Sequence, residues 1–108
     1  MKTFAIMCNY QTAETPRGRQ KLSPSKFLVE LCIDDKGEVL SWLVDDRTAC
    51  FYTDLTSYNH RIIQFEGSEI NGQTGSLLIK RVQREFIQKS DVNGEWLILK
   101  GTCEEIDK

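Results

Sequence analysis

A short basic segment carries the side chains best suited to bind an anionic group, namely Arg17, Arg19 and Lys21. Gly18 separates the two arginines, and a glycine at this position lets the chain approach a phosphate group closely. We therefore predict that these cations bind phosphates or an acidic partner. A solvated loop tip is the alternative interpretation, because runs of charged residues are commonly exposed.

Aromatic side chains supply a second set of candidate contacts, because such residues carry much of the energy of binding sites. The residues that we predict to contact a ligand or partner are Tyr10, Phe51, Tyr52 and Tyr58, and a place in the core is the alternative for the last three. Tyr10 and Tyr58 would add stacking faces beside the basic segment. The two tryptophans, Trp42 and Trp96, lie in apolar stretches and are predicted to be the largest side chains of the core.

Catalytic chemistry has little support, since His60 is the only histidine and no nucleophile signature flanks it. We interpret His60 as a solvated loop residue. An enzyme that works inside a barrel through Cys50, His60 or Asp54 is the least favoured function. The carboxylate pairs at 34–35 and 45–46 should lie about 20 Å apart, at opposite ends of one strand, which is too far for a shared metal site. We predict no catalytic residue, no metal site and no cofactor.

The composition is that of one globular domain covering residues 1–108, with 28% charged and 40% hydrophobic residues. The formal net charge is −2, whereas residues 1–26 carry five basic side chains and one acidic side chain. A protein that binds nucleic acid mainly through its electric field is basic as a whole, so this class is disfavoured.

The four cysteines, Cys8, Cys32, Cys50 and Cys103, are scattered along the chain. The first apolar run is too short for a signal peptide or a membrane span, so we expect free thiols in a reducing, cytoplasmic setting. Cys8, Cys32 and Cys103 lie in strand patterns and are predicted to pack as small hydrophobic residues. Two disulfides are the alternative if the protein is secreted.

The elements that must position these side chains are β-strands joined by glycine turns. Apolar runs flank turn sequences at 35–37, 71–72 and 91–94, and Asp-x-Gly or Asn-Gly between apolar runs is a strong hairpin signal. The predicted strands are Thr3–Gln11, Phe27–Ile33, Val39–Val44, Ile62–Ile70, Leu77–Val82, Arg84–Gln88 and Glu95–Glu104.

Four segments allow more than one interpretation. The polar segment Gln11–Ser25 contains two prolines and is predicted to be a long exposed loop or an irregular hairpin tip. Val39–Val44 is apolar on both faces, which predicts a central strand or one covered by a second layer. Residues 46–58 fit either a short helix or a strand. Leu78–Ile87 fits a helical stripe as well as strands, and we favour strands.

These patterns predict an all-β fold, in which an antiparallel meander of six to eight strands closes into a barrel or a curved sandwich. We predict a non-enzymatic binding module, such as an adaptor, inhibitor or regulatory protein, whose partner is another protein or a small ligand. The alternative is an OB-like protein that binds single-stranded nucleic acid with its sheet face and the basic residues of segment 17–26. We predict no membrane partner.

Overall fold

The computed structural model describes residues 1–45, 52–70, 73–92 and 94–107. They form eight antiparallel strands: β1 Lys2–Thr15, β2 Gly18–Ile33, β3 Val39–Asp45, β4 Tyr52–Tyr58, β5 Ile62–Ile70, β6 Gln73–Lys80, β7 Glu85–Val92 and β8 Glu95–Asp107. None of the described segments forms a helix of the length and apolarity that a membrane span requires.

The eight strands make one sheet in the order β3-β2-β1-β8-β7-β6-β5-β4, which curls into a nearly closed barrel. Strands β1 and β8 pair directly, so two distant parts of the sequence are joined at the middle of the sheet. The sheet ends at β3 and β4, where Trp42 Nε1 donates a hydrogen bond of 3.0 Å to the backbone oxygen of Tyr52. The predicted all-β meander is therefore confirmed.

The core fills the concave side of the sheet with the alternate residues of each strand. Phe27, Val29, Leu31 and Ile33 of β2 are buried, while the residues between them are half-buried. This alternation follows from the period of two in a strand, which sends successive side chains to opposite faces. The inward rows of β1, β5, β6 and β7 complete one cluster, whose largest fully buried side chains are Phe65 and Phe86.

The first two strands form a long, irregular hairpin, so of the two alternatives for Gln11–Ser25 the irregular hairpin tip is confirmed and the exposed loop is wrong. Strand β1 continues to Thr15 and β2 begins at Gly18, with Glu14 paired to Arg19 near the tip. The ladder with β8 extends along β1 as far as Glu14, so the β1 part of this polar segment is hydrogen-bonded on both edges. The two prolines are accommodated at the tip and at an irregularity of β2, where no ladder donor is needed.

Strands β6 and β7 meet in a tight turn at residues 81–84, which rules out the helical alternative for Leu78–Ile87. Val82 was predicted to end a strand. It lies in the turn instead, with 70% of its surface exposed. Arg84 has a positive φ of 59°, so it belongs to the turn rather than to β7. Its carbonyl accepts a hydrogen bond of 2.8 Å from Cys103 N, which fixes the turn against β8.

The two tryptophans occupy different environments, which corrects one of the core predictions. Trp42 packs against the core, with its ring centroid 6.1 Å from that of Phe65. Trp96 is 43% exposed on the outside of the barrel. Strand β3 also differs from the prediction, because it is an end strand of the sheet with Leu40 and Leu43 exposed.

A disulfide between Cys8 and Cys103 corrects the prediction that these thiols are free. The two residues stand directly opposite each other in the ladder between β1 and β8. Each was predicted correctly to be buried, but only the pairing of the strands brings the sulfurs together. Cys32 keeps a free, half-buried thiol, and Cys50 lies outside the described residues. The cytoplasmic location stays a prediction.

Residues 52–58 form strand β4, so the helical alternative for this part of segment 46–58 is wrong. The remaining residues of that segment, 46–51, lie outside the described part of the chain. The turn between β2 and β3 lies where the sequence predicts it, and Asp34 Oδ1 stabilises it by accepting hydrogen bonds from Lys36 N and Glu38 N at 2.9 Å each.

Candidate functional site

A groove on the β1–β2 hairpin, which we call the hairpin groove, contains part of the predicted binding set. It has a volume of about 610 Å³ and is lined by residues 9–12 of β1 and by residues 19–22 and Pro24 of β2. The pairing explains why it forms. Tyr10 pairs with Ser25 and Thr12 pairs with Lys21, so Gln11 alone stands against three residues of β2. Such a bulge interrupts the ladder and bends the strands.

Two cations lie on the outer side of this groove. Arg19 and Lys21 are two residues apart in β2, so their side chains leave the same face of the sheet. Arg19 Nε lies 3.8 Å from Glu14 Oε1, and Lys100 Nζ lies 3.5 Å from the same oxygen. Lys21 is exposed, and no described carboxylate lies within ion-pair distance of it. The groove therefore has an outer rim of mixed charge in which cations outnumber carboxylates.

The inner end of the groove meets the barrel core at Tyr10. The Tyr10 ring is buried, and its hydroxyl donates a hydrogen bond of 3.4 Å to Gln88 Oε1. Opposite it, the Ser25 hydroxyl is buried with no hydrogen-bond partner among the described residues. The irregular pairing around Gln11 accounts for this, because it shifts the backbone groups that a regular ladder would present to the hydroxyl.

The structure brings only some of the predicted binding residues together. Tyr10, Arg19 and Lys21 meet at the hairpin groove. Arg17 lies at the hairpin tip, where its Nη2 is 3.3 Å from Glu95 Oε2. Phe51 lies outside the described residues.

Tyr52 and Tyr58 lie elsewhere in the barrel. Tyr52 is buried in the core, where its hydroxyl accepts a hydrogen bond of 2.6 Å from Gln88 Nε2. Tyr58 packs against Phe4, with ring centroids 6.4 Å apart. Phe4 is six residues, or about 20 Å, from Tyr10 along β1. Neither tyrosine therefore lines the hairpin groove.

Arg81 lies beside Tyr58, away from the hairpin groove. Arg81 donates to Glu105 through two nitrogens, with the shortest contact 2.6 Å, and to the backbone oxygen of Asn59 at 2.8 Å. Its guanidinium also lies 5.8 Å from the ring of Phe4 and 5.4 Å from the ring of Tyr58. Partial burial lowers the pKa of Arg81, whereas hydrogen bonds and charge attraction from Glu105 and Tyr58 raise it. The second effect is larger, so the pKa lies above its ordinary value. The guanidinium of Arg81 therefore makes its contacts within the protein, with Glu105, Asn59 and two aromatic rings.

The side chains considered for catalysis are dispersed. His60 is exposed in the connection between β4 and β5, and Asp54 is exposed on β4. Cys50 lies outside the described residues. Among the described residues, no group of three or more histidine, cysteine, aspartate or glutamate side chains is placed to hold a metal ion.

Glu14 and Lys100 are the residues of this region that the sequence did not reveal. Glu14 pairs with Arg19 in the β1–β2 hairpin, whereas Lys100 reaches Glu14 only because β8 pairs with β1, with Lys100 opposite Thr12. A pairing of strands this far apart in sequence leaves no local pattern from which it can be predicted.

Protein-family models, curated proteins and solved structures were compared with this chain, and none of them matches it. The function of the hairpin groove therefore has to be inferred from its own geometry and chemistry.

Proposed function

We propose that the protein is a non-enzymatic binding module that holds an extended, acidic segment of a partner protein in the hairpin groove. The observation that carries this proposal is the concave surface of about 610 Å³ that combines the cations Arg19 and Lys21 with the apolar side chains of Leu22 and Pro24. Binding sites commonly combine an apolar floor with a few placed polar groups.

The charges on the rim favour an acidic partner. Glu14 is shared by Arg19 and Lys100 at 3.8 Å and 3.5 Å, and such surface ion pairs each contribute under about 1 kcal/mol. A partner carboxylate can replace Glu14 at little cost. Lys21, which has no described carboxylate near it, offers a further contact.

The backbone of β2 favours an extended partner. Strand β3 pairs only with residues 28–33 of β2, and no described strand pairs with the second edge of residues 18–27. An exposed edge can accept an added strand through main-chain hydrogen bonds, while neighbouring pockets select the side chains. Pro24 lies on this edge and limits such pairing to the backbone groups on either side of it.

A protein partner accounts for the charge pattern better than a nucleic acid does. The net charge of the chain is −2, and Glu14 lies between the cations of the rim. A phosphate backbone carries a regular row of charges and would meet this carboxylate as well as the cations. A short peptide can place its acidic side chains beside the cations alone.

The test compares two double variants that remove the same charge. The groove variant carries Arg19→Ala and Lys21→Ala, and the control carries Lys36→Ala and Arg61→Ala, two exposed cations outside the groove. The probes are a fluorescent library of acidic, β-prone peptides and a labelled oligothymidine. We expect the groove variant to weaken binding of the selected peptides about tenfold, with a smaller salt dependence, and the control to bind as the unaltered protein does.

Two results would overturn the proposal. One is that the unaltered protein selects no acidic peptide from the library. The other is that oligothymidine binds more tightly than the selected peptides and loses affinity in the groove variant, which would establish the nucleic-acid alternative. The free energy of unfolding of both variants, measured with urea, shows whether the fold is intact.

A further inference from the structure

A shallow depression on the outer face of β5 to β8, which we call the tryptophan depression, is separate from the hairpin groove. Its volume is about 390 Å³, within the range typical of small-ligand sites. The side chains around it that matter here are Glu66, Thr74, Ser76, Lys89, Asp91 and Trp96.

The strand register places these side chains in two adjacent rows. Trp96 pairs with Asp91, and Asp91 pairs with Thr74, so three neighbouring strands contribute one row. The second row runs through Lys89, Ser76 and Glu66 on β7, β6 and β5. Directly paired side chains in such rows stand about 5 Å apart.

The burial of Gln88 shows on which face of the sheet both rows lie. Its side chain is fully buried inside the barrel. Because strand residues alternate, Lys89 and Asp91 of the regular strand β7 point outward, and their partners in the rows do the same.

Small residues between the two rows form the floor of the depression. Gly67 pairs with Gly75, and Gly75 pairs with Ser90. By the same alternation these three residues face the barrel interior, so only backbone lies between the two outer rows. Trp96 forms a wall with 43% of its surface exposed, which is a large apolar area to leave in water. The combination is a flat aromatic face beside a polar, concave surface.

Ligand chemistry follows from the groups in the two rows. An aromatic face attracts C–H groups through its negative π surface. The carboxylates of Glu66 and Asp91, the hydroxyls of Thr74 and Ser76 and the Lys89 ammonium offer donors and acceptors to ligand hydroxyls. Asp91 Oδ1 already accepts a hydrogen bond from Gly94 N at 2.9 Å, which holds the carboxylate in place.

The charges select against anionic ligands. Two carboxylates and one ammonium surround the depression, so a phosphate or carboxylate ligand meets net repulsion. We propose that the tryptophan depression binds a neutral sugar, with one ring stacked on Trp96 and its hydroxyls bonded to the two polar rows. This site does not depend on the proposed function of the hairpin groove.

Intrinsic fluorescence provides the first measurement, because the chain has only two tryptophans. In a Trp42→Phe variant, Trp96 is the sole reporter. The probes are cellobiose, maltose and N,N′-diacetylchitobiose, each titrated into the millimolar range. We expect at least one of them to change the emission of Trp96 saturably, with a Kd near about 1 mM. Calorimetry on the unaltered protein repeats the titration without relying on the stability of the variant.

Variants of the site and a matched control complete the test. We expect Trp96→Ala to weaken sugar binding at least about tenfold and Asp91→Asn, which keeps the acceptor for Gly94 N, to weaken it a few-fold. Leu43→Ala, which removes another exposed apolar side chain, should bind as the unaltered protein does. The proposal is overturned if no disaccharide binds the unaltered protein, if Trp96→Ala binds sugar unchanged, or if adenosine binds more tightly than every sugar.

Discussion

Gln88 Nε2 donates a hydrogen bond of 2.6 Å to the Tyr52 hydroxyl across the interior of the barrel, from β7 to β4. Two strands, β6 and β5, separate them in the sheet, so the bond connects opposite parts of the wall. The Tyr10 hydroxyl reaches the other end of the same amide, at 3.4 Å. The buried amide thus links its own strand, β7, to β4 and to β1.

Substitution of the two tyrosines by phenylalanine should have unequal effects. Loss of the 2.6 Å bond in Tyr52→Phe leaves a buried amide donor with one partner fewer, which costs about 1–3 kcal/mol. The longer bond of Tyr10 contributes less, so Tyr10→Phe should cost under about 1 kcal/mol. Urea unfolding measures both free energies. A larger loss for Tyr10→Phe than for Tyr52→Phe would contradict this account of the buried amide.

The two tryptophans should also differ when each is replaced by alanine. Trp42 packs on the core and donates to the Tyr52 backbone, so Trp42→Ala should lower the free energy of unfolding by about 3 kcal/mol. Trp96 is 43% exposed, and Trp96→Ala should cost under about 1 kcal/mol. Thermal and urea unfolding of the matched pair tests this ranking, and equal losses would place Trp96 in the core after all.

The Cys8–Cys103 disulfide should contribute substantially to stability. It links residues 95 positions apart, and in the chain-entropy model a closed loop of that size is worth about 4.7 kcal/mol. The double variant Cys8→Ala with Cys103→Ala should lose about that amount, whereas Cys32→Ala, which removes a half-buried free thiol, should lose far less. Mass spectrometry of a non-reducing digest locates the bond. Alkylation of both cysteines in unfolded, unreduced protein would show that the disulfide is absent.

Arg81 should stabilise the barrel independently of pH around neutrality. Its folded-state pKa is raised above that of an ordinary arginine, so its stabilisation is complete below the ordinary pKa and is lost only as pH rises through the folded-state value. Arg81→Met should therefore cost about 1–3 kcal/mol, and the same amount from about pH 6 to pH 9. Urea unfolding at several pH values measures this difference. A loss that varies by more than about 1 kcal/mol over this range would show that another group titrates with the contact.

The strands were largely predictable because their signals are local. Strand β5 has the predicted bounds Ile62–Ile70, and alternating apolar residues predicted the buried face of β2. The hairpin tip was harder, because polar residues in β1 and β2 resemble a loop until the ladder with β8 satisfies their backbone groups.

Residue roles that depend on distant pairing were not predictable. The apolar run that begins at Trp96 fits either face of β8, and its pairing with Asp91 on β7 decides the orientation. On β7 the polar Gln88 is buried while Ile87 is only half-buried, which reverses the usual pattern. The cations at 17–21 were visible as a group, but the groove beside them depends on the bulge at Gln11.

The pairing of β1 with β8 also has a consequence for how the chain reaches its native state. Cys8 and Cys103, which face each other in that ladder, are 95 residues apart. Contacts of such long range slow folding, because the entropy of closing the loop is lost before the contacts form. During synthesis, β1 is made long before β8, and until then it exposes an apolar strand edge. Such edges pair readily with other chains, and pairing with β2, the next strand made, covers one edge of β1 early.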